Sequence, residues 1–497
     1  MREFGKSFGG VRHLLAMAGL GGLLYGIDFG TIAAAMPYIK ALGMFSDAQV
    51  SWIVGAVLFG GILATLTAGF LCDRCGRKRM IVASAAMFLV AIPVVCLSGG
   101  ILWTMMAGRV LQGMSAGYMA VVMPMYLTEI LPPEIRGRGT GVFQFCLWVG
   151  LVGAALIGLL LAGWLGAADA AGIAAETKAL AWKLNFWWTM APVAVLFVGS
   201  LFLPESPVWI ERFQISDLRS QISGQGVSDI NPEVSSVNPE ASGVKPEVSS
   251  VKSEASSVNP EASSVKHEAS SVKTGTRGVV SLFQRKYVIP FLLAVLVLTF
   301  NKTTGMSSIT SYAVVIFNKA GFAGSLGNVG DLAIKFTSMA MTLVAATLID
   351  TKGRTWLLRV GTAGMTVGLV AIGTVLLAIE RFGVTATPTT GLVCLGAFVF
   401  MEIFYSLGPS ICVWLVLSEL MPTRIRANGM SIAMFMNQFV AWGLASSFLP
   451  WVNRWGWFSM FFFFAANGAL YFITALFIPE TKGKSLEELE TLFERKE

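Results

Sequence analysis

The sequence predicts an all-α membrane protein: twelve transmembrane helices in two pseudo-symmetric six-helix bundles. Three observations carry this prediction. Only 13% of the 497 residues are charged and 55% are hydrophobic, whereas soluble domains carry about 25% charged residues. The apolar residues gather in about twelve blocks of roughly 20 residues or more, each long enough to cross a hydrocarbon core of about 30 Å as a helix. Several short motifs occur twice, once in each half of the chain. This composition excludes an ordinary soluble enzyme, a secreted disulfide scaffold and a disordered chain.

The blocks begin near Arg12, Val50, Met80, Leu102, Gly139 and Leu184, and again near Tyr287, Asn328, Trp356, Leu392, Gly429 and Trp457. The first, from about Val11 to Tyr38, is too long for a secretory leader and has no small-residue cleavage site after it. The net charge of +7 resembles a nucleic-acid signal. Most of its Lys and Arg, however, sit in short connections after even-numbered spans: Arg74, Arg77, Lys78 and Arg79, then Arg136 and Arg138, then Lys352 and Arg354, then Arg424 and Arg426. Alternate connections hold few cations, such as Lys40, Arg381 and Arg454. Positive loops stay inside, so both termini are expected in the cytoplasm, and no nucleic acid is expected as partner. The six cysteines are scattered; Cys72 and Cys75 have CxxC spacing without a second pair or His cluster, and read as free thiols. No metal or cofactor is expected.

Between spans six and seven the composition changes. A seven-residue unit recurs six times over residues 231–272: NPEVSSV, NPEASGV, KPEVSSV, KSEASSV, NPEASSV, KHEASSV. One Val per unit and frequent Pro exclude a coiled coil. Ser, Pro and Glu at low hydropathy read as a disordered linker, either a docking segment or a neutral repeat expansion. The domain boundaries follow: 1–210 for the first half, 211–283 for a cytoplasmic linker, 284–480 for the second half and 481–497 for a cytoplasmic tail.

The duplicated motifs are closely matched. Asp73, Gly76 and Arg77 after span two reappear as Asp350, Gly353 and Arg354 after span eight. Glu129, Pro132 and Arg136 after span four reappear as Glu419, Pro422 and Arg426 after span ten. Pro204-Glu205-Ser206 closes span six and Pro479-Glu480-Thr481 closes span twelve. Transporters duplicated in parallel place substrate near the midplane between the halves and rock one half against the other.

These motifs, with Gly108-Arg109, Gly113, Gly117 and Pro124-Met125-Tyr126-Leu127-Thr128-Glu129, make the chain resemble the sugar porter family of the major facilitator superfamily. The likeness spans nearly the whole chain outside the repeat linker. It implies a secondary active transporter that moves a sugar or polyol across the cell membrane by alternating access, in symport with protons. Val208 departs from the Arg that this family usually has after Pro207.

Several site residues follow. Asp73, Arg77, Glu129, Arg136 and Glu205, with Asp350, Arg354, Glu419, Arg426 and Glu480, are read as a cytoplasmic gate whose ion pairs bias a two-state rocking equilibrium; plain topology signals are the alternative. Asp28 lies mid-span, where an ionisable group is functional by default. Arg109 is its natural partner. Burial favours the protonated carboxyl and a close guanidinium the ionised one, so their separation decides whether Asp28 holds a proton. The resemblance places proton coupling on this pair, with a permanent structural ion pair as the alternative. Tyr25, Gln144, Tyr312, Trp414 and Gln438 match sugar-pocket positions of the family. Span seven departs from it: Asn301 and Lys302 stand for two Gln, and Ser307 for an Asn. Lys335 and Glu402 are further additions. Lys302 could meet a substrate carboxylate, pair with Glu402 or snorkel outward.

Other function classes fare worse. Two His, His13 and His267, and no nucleophile triad, phosphate loop or metal cluster argue against an enzyme. A facilitative uniporter, a carrier of anionic sugar acids and a non-transporting sensor remain alternatives. The expected partners are a small sugar or polyol, protons and the lipid bilayer, with one chain sufficient as a monomer.

Overall fold

A computed structural model describes residues 8–131, 136–170, 172–211, 285–322, 324–420 and 426–480. The repeat linker and the C-terminal tail lie outside the described residues. No strand occurs among the described residues. The first half contains α1 (Phe8–Ala41), α2 (Asp47–Cys75), α3 (Arg77–Cys96), α4 (Leu102–Ile130), α5 (Arg136–Leu165), α6 (Ala175–Trp187) and α7 (Met190–Leu201). The second contains α8 (Arg285–Thr303), α9 (Met306–Ala320), α10 (Leu326–Lys352), α11 (Arg354–Arg381), α12 (Pro388–Leu407), α13 (Pro409–Leu420), α14 (Arg426–Trp455) and α15 (Trp457–Phe477).

Together these helices supply twelve stretches long and apolar enough to cross a membrane. Three spans are built from two helices each: span six from α6 and α7, span seven from α8 and α9, span ten from α12 and α13. Large apolar side chains such as Phe70, Trp164 and Phe477 are exposed, as lipid contact requires, since hydrocarbon is as apolar as they are.

Helix ends follow local chemistry. Ser46 and Gln49 form a capping box at the start of α2, and Thr387 and Thr390 form one at the start of α12, where Pro388 occupies the first turn. That position needs no N–H, so proline fits it.

Helix pairings repeat between the halves. Spans one and five pack together, as do seven and eleven; two and four match eight and ten; three and six match nine and twelve. The halves meet where α2 packs on α14 and α5 on α10. Polar contacts join them at the end opposite the Arg/Lys-rich turns. The Tyr312 hydroxyl lies 3.2 Å from both Ser51 Oγ and Ala445 O, and its ring stacks on Phe448 at 4.5 Å. The Leu449 N–H donates to Ser51 Oγ at 3.1 Å, Asn453 donates to Asp47 at 2.7 Å, and the Gly324 N–H donates to Asp169 at 2.9 Å.

Span seven breaks at Thr304-Gly305. Gly305 has φ +80°, and a Cβ there would run into the Phe464 ring. Left-handed backbone and close ring contact together exclude a side chain. Gly305→Ala is expected to cost about 1–3 kcal/mol, read as a lower thermal midpoint of the purified protein.

Candidate functional site

A central cavity of about 150 Å³ lies between the halves. Its wall draws on α1 (Tyr25, Gly26, Phe29), α5 (Leu147, Trp148, Leu151), α8 (Lys302), α9 (Met306, Ser307, Thr310), α10 (Ile334, Lys335, Ser338), α12 (Glu402, Tyr405) and α13 (Ser410). The breaks in spans seven and ten both reach this wall. Non-helical backbone within a membrane is tolerated where it is buried in protein or lines a cavity, so the discontinuities are part of the site's construction.

Tyr25 and Phe29 stand one turn apart on α1 with rings 5.1 Å apart. Rings with hydroxyl, amine and carboxyl groups nearby suit a molecule with C–H faces and polar edges. The Lys302 ammonium lies 3.5 Å from Ser307 Oγ. Glu402 is fully buried; Ser338 and Ser406 both donate to its Oε1. Glu402 Oε2 and Trp148 Nε1 have no partner among the described residues. Lys335 pairs with Asp331 at 2.7 Å, both buried on α10.

Beside the cavity, Asp28 and Arg109 are each 1% exposed, with Arg109 Nη1 3.5 Å from Asp28 Oδ1. The same nitrogen donates to Gln112 Oε1 at 2.8 Å, and the guanidinium lies over the Phe186 ring at 5.6 Å. Asp28 Oδ2 and Arg109 Nε have no partner among the described residues. The pair is therefore in contact but incompletely satisfied.

The sequence-predicted pocket residues divide. Tyr25, Lys302 and Ser307 line the cavity. Asn301 is buried behind it and donates to Pro409 O at 3.3 Å, bracing the break in span ten. Tyr312 is buried in the seam between the halves. Gln144 is exposed on α5, and Gln438 Nε2 rests against Gly61 of α2. The Trp414 side chain lies outside the described residues. Lys302 and Glu402 do not form an ion pair. Trp148, Thr310, Ser338 and Ser410 were not anticipated. Single Ser, Thr and Trp residues are common in membrane helices and carry no signal alone. Asp331 and Lys335, four apart in an apolar span, were a readable signal for a buried pair.

At the basic end, Arg77 is 2% exposed; it meets Glu129 at 3.1 Å and Asp73 at 3.2 Å and donates to Cys72 O at 3.0 Å. Ser206 donates to Glu129 Oε2. Glu205 accepts the N–H groups of Arg77 and Lys78 at 2.8 and 3.0 Å, so it caps the start of α3. Glu480 does the same for α11, accepting from Arg354 and Thr355 at 3.0 and 3.1 Å. A carboxylate suits a helix N-terminus because orphan N–H groups and the helix dipole both favour negative charge. Gly76 and Gly353 make room: a Cβ would lie 2.5 Å from Glu205 Oε2 or 2.7 Å from Glu480 Oε2. These described contacts link residues of the same half. The side chains of Arg136, Asp350, Glu419 and Arg426 lie outside the described residues.

The "Sugar (and other) transporter" family model matches residues 14–493. The chain belongs to that family. Among curated members, it is 27% identical to the arabinose-proton symporter of Bacillus subtilis (strain 168), covering 98% of this chain and 96% of that one. It is 30% identical to the putative metabolite transport protein YwtG of the same organism, covering 95% and 92%. It is 25% identical to the galactose-proton symporter of Escherichia coli (strain K12), covering 95% and 92%. Among solved structures, a D-xylose-proton symporter superposes with TM-score 0.71 at 18% identity, over 96% of this chain and 99% of that one. The inward-open xylose transporter XylE from E. coli gives 0.70 at 21%, over 97% and 99%. The fold is therefore that of the major facilitator superfamily, and the chain is a multi-pass membrane protein.

Arg77→Ala would leave Glu129 partly buried without its cation. We expect a loss of about 3 kcal/mol, seen as a lower thermal midpoint, with Arg77→Lys recovering only part because it cannot reproduce the forked contacts.

Proposed function

We propose that the chain is a secondary active transporter that carries a sugar or polyol across the cell membrane by alternating access, in symport with protons. The observation that carries this reading is the buried Asp28–Arg109 contact at 3.5 Å, set beside a cavity lined by both halves. The relatives named as sugar-proton symporters support it.

Asp28 is the proton carrier in this reading. Arg109 has a second acceptor in Gln112, so it keeps a partner when Asp28 is protonated. Desolvation then favours the neutral acid once the guanidinium draws back, and the ion once it returns. Both residues lie in the first half, so a change in that separation needs α1 to shift against α4 within residues 1–210, as a substrate pressing on Tyr25 and Phe29 would drive. Tyr25, Lys302 and Ser307 act on substrate from the cavity wall. Gln144, Trp414 and Gln438 are assigned to other stages of the passage. Tyr312 and Asn301 brace the seam and the span-ten break.

The Arg/Lys-rich end faces the cytoplasm, with both termini and the linker of residues 211–283 on that side. There Asp73, Arg77, Glu129, Arg136 and Glu205, with Asp350, Arg354, Glu419, Arg426 and Glu480, form the gate whose ion pairs bias the rocking equilibrium; within each half, Arg77 with Glu129 and Asp73, and Glu205 and Glu480 at the starts of α3 and α11, brace the helix ends that carry it. One chain supplies both halves and works as a monomer in the bilayer. The family's members are transporters, and no enzymatic step is assigned.

Uptake of labelled pentoses, hexoses, polyols and sugar acids in carrier-deficient cells tests the function. Wild-type accumulation should collapse with a protonophore. Asp28→Asn should lose uphill accumulation and keep counterflow exchange. Accumulation unaffected by either treatment would remove the coupling assignment and leave facilitated diffusion.

A further inference from the structure

The cavity wall holds two charge-bearing groups for which the described residues supply no counter-charge in contact. Lys335 has Asp331, and Arg109 has Asp28. Lys302 has no carboxylate within 4.0 Å among the described residues; its named contact is the Ser307 hydroxyl. It lies in the last turn of α8, whose last carbonyls favour a cation but supply no counter-ion. Glu402 takes two serine hydroxyls on one oxygen and keeps the other without a partner. Both side chains line the same cavity as Ser307, Ser338 and Trp148.

A part-buried ammonium gains more from an anion in contact than from another hydroxyl, because charge-assisted bonds are the stronger ones. A neutral sugar would close the cavity around Lys302 with no anion in contact with its ammonium, since Glu402 lines the same cavity but forms no ion pair with it within 4.0 Å. A substrate with one carboxylate and several hydroxyls satisfies both groups: the carboxylate meets the ammonium in a charge-assisted bond, and hydroxyls donate to the open oxygen of Glu402. The two carboxylates stay apart because one belongs to the acid end of the substrate and the other binds its hydroxyl edge. Tyr25, Phe29 and Trp148 remain to cover the C–H face.

We propose that the transported sugar carries a carboxylate, that Lys302 is its counter-ion, and that Glu402 accepts hydroxyl hydrogen bonds from the same molecule. This rests on the reading of the cavity as a sugar site and narrows its substrate class to sugar acids.

The test uses the full-length protein reconstituted in liposomes with an imposed proton gradient. Probes are labelled glucuronate and galacturonate, their parent hexoses, and the uronate methyl esters as competitors. Wild type should take up a uronate, and the neutral ester should compete poorly. Lys302→Gln should lower uronate uptake at limiting concentration about 30-fold or more, while Lys302→Arg keeps most of it. Loss in both variants would instead mark a structural lysine and overturn the counter-ion role. If Lys302→Gln does not fold, the Arg variant and ester competition on wild type decide. Uptake of neutral hexoses with no uronate uptake overturns the inference and leaves sugar transport standing. Uronate uptake indifferent to Lys302→Gln overturns it equally. No uptake of any probe overturns the sugar-carrier reading and the inference with it.

Discussion

Hydrocarbon accepts an ionised side chain only when protein or a water-filled cavity surrounds it. Each ionisable residue deep in the spans must therefore be paired or turned to the cavity. Asp28 and Arg109 meet across α1 and α4; Asp331 and Lys335 meet within α10. Among the described residues Lys302 and Glu402 have no such ion-pair partner, and both line the central cavity. The same constraint governs the backbone. Spans seven and ten break where their freed groups can reach cavity or neighbouring helix, with Lys302 just before one break and Ser410 just after the other. Charge, helix breaks and cavity coincide for one reason: the interior between the halves is where the bilayer does not decide what is allowed.

Rigidity is distributed unevenly. Glu205 ties the end of span six to the start of α3, and Glu480 ties the end of span twelve to the start of α11. Each is a charged acceptor on two orphan N–H groups, and hydrogen bonds to charged groups contribute about 1.5–3 kcal/mol each. The described polar contacts across the seam lie at the opposite end: Tyr312 with Ser51 and Ala445, Leu449 with Ser51, Asn453 with Asp47 and Gly324 with Asp169, the last two to carboxylates. Halves braced internally at one end and joined by polar contacts at the other are the kind of units that a rigid-body transition moves.

Much of this was readable from the chain. Block length gave the twelve spans, because a helix must be long enough to cross hydrocarbon. Motif spacing identified Arg77, Glu129, Glu205 and Glu480 as belonging together. It did not identify their partners: spacing cannot show that Glu205 and Glu480 meet backbone N–H groups in a cradle left by Gly76 and Gly353. Hydropathy also missed the breaks in spans six, seven and ten, since both sides of each break are apolar. Ser307 and Tyr312 lie five residues apart on α9, about 140° around the helix, so Ser307 reaches the cavity while Tyr312 turns into the seam. Asn301 and Lys302 are adjacent, and only Lys302 lines the cavity. Ser338 became visible as a site residue only through its bond to Glu402.

Helix α1 connects the two chemical centres. Tyr25 and Phe29 line the cavity, while Asp28, between them in sequence, meets Arg109 of α4. A molecule pressing on the two rings therefore acts on the helix that positions the carboxylate. At an effective dielectric of about 20, doubling a 3.5 Å ion-pair separation weakens the attraction by roughly 2 kcal/mol. A free energy of that size shifts proton occupancy by more than about tenfold. In the proposed cycle no long pathway is required, because occupancy of the cavity and protonation of Asp28 would act on one turn of one helix. The 3.5 Å contact, looser than a tight ion pair and shared with Gln112, is close enough to hold the charges and long enough to yield to a small shift of α1.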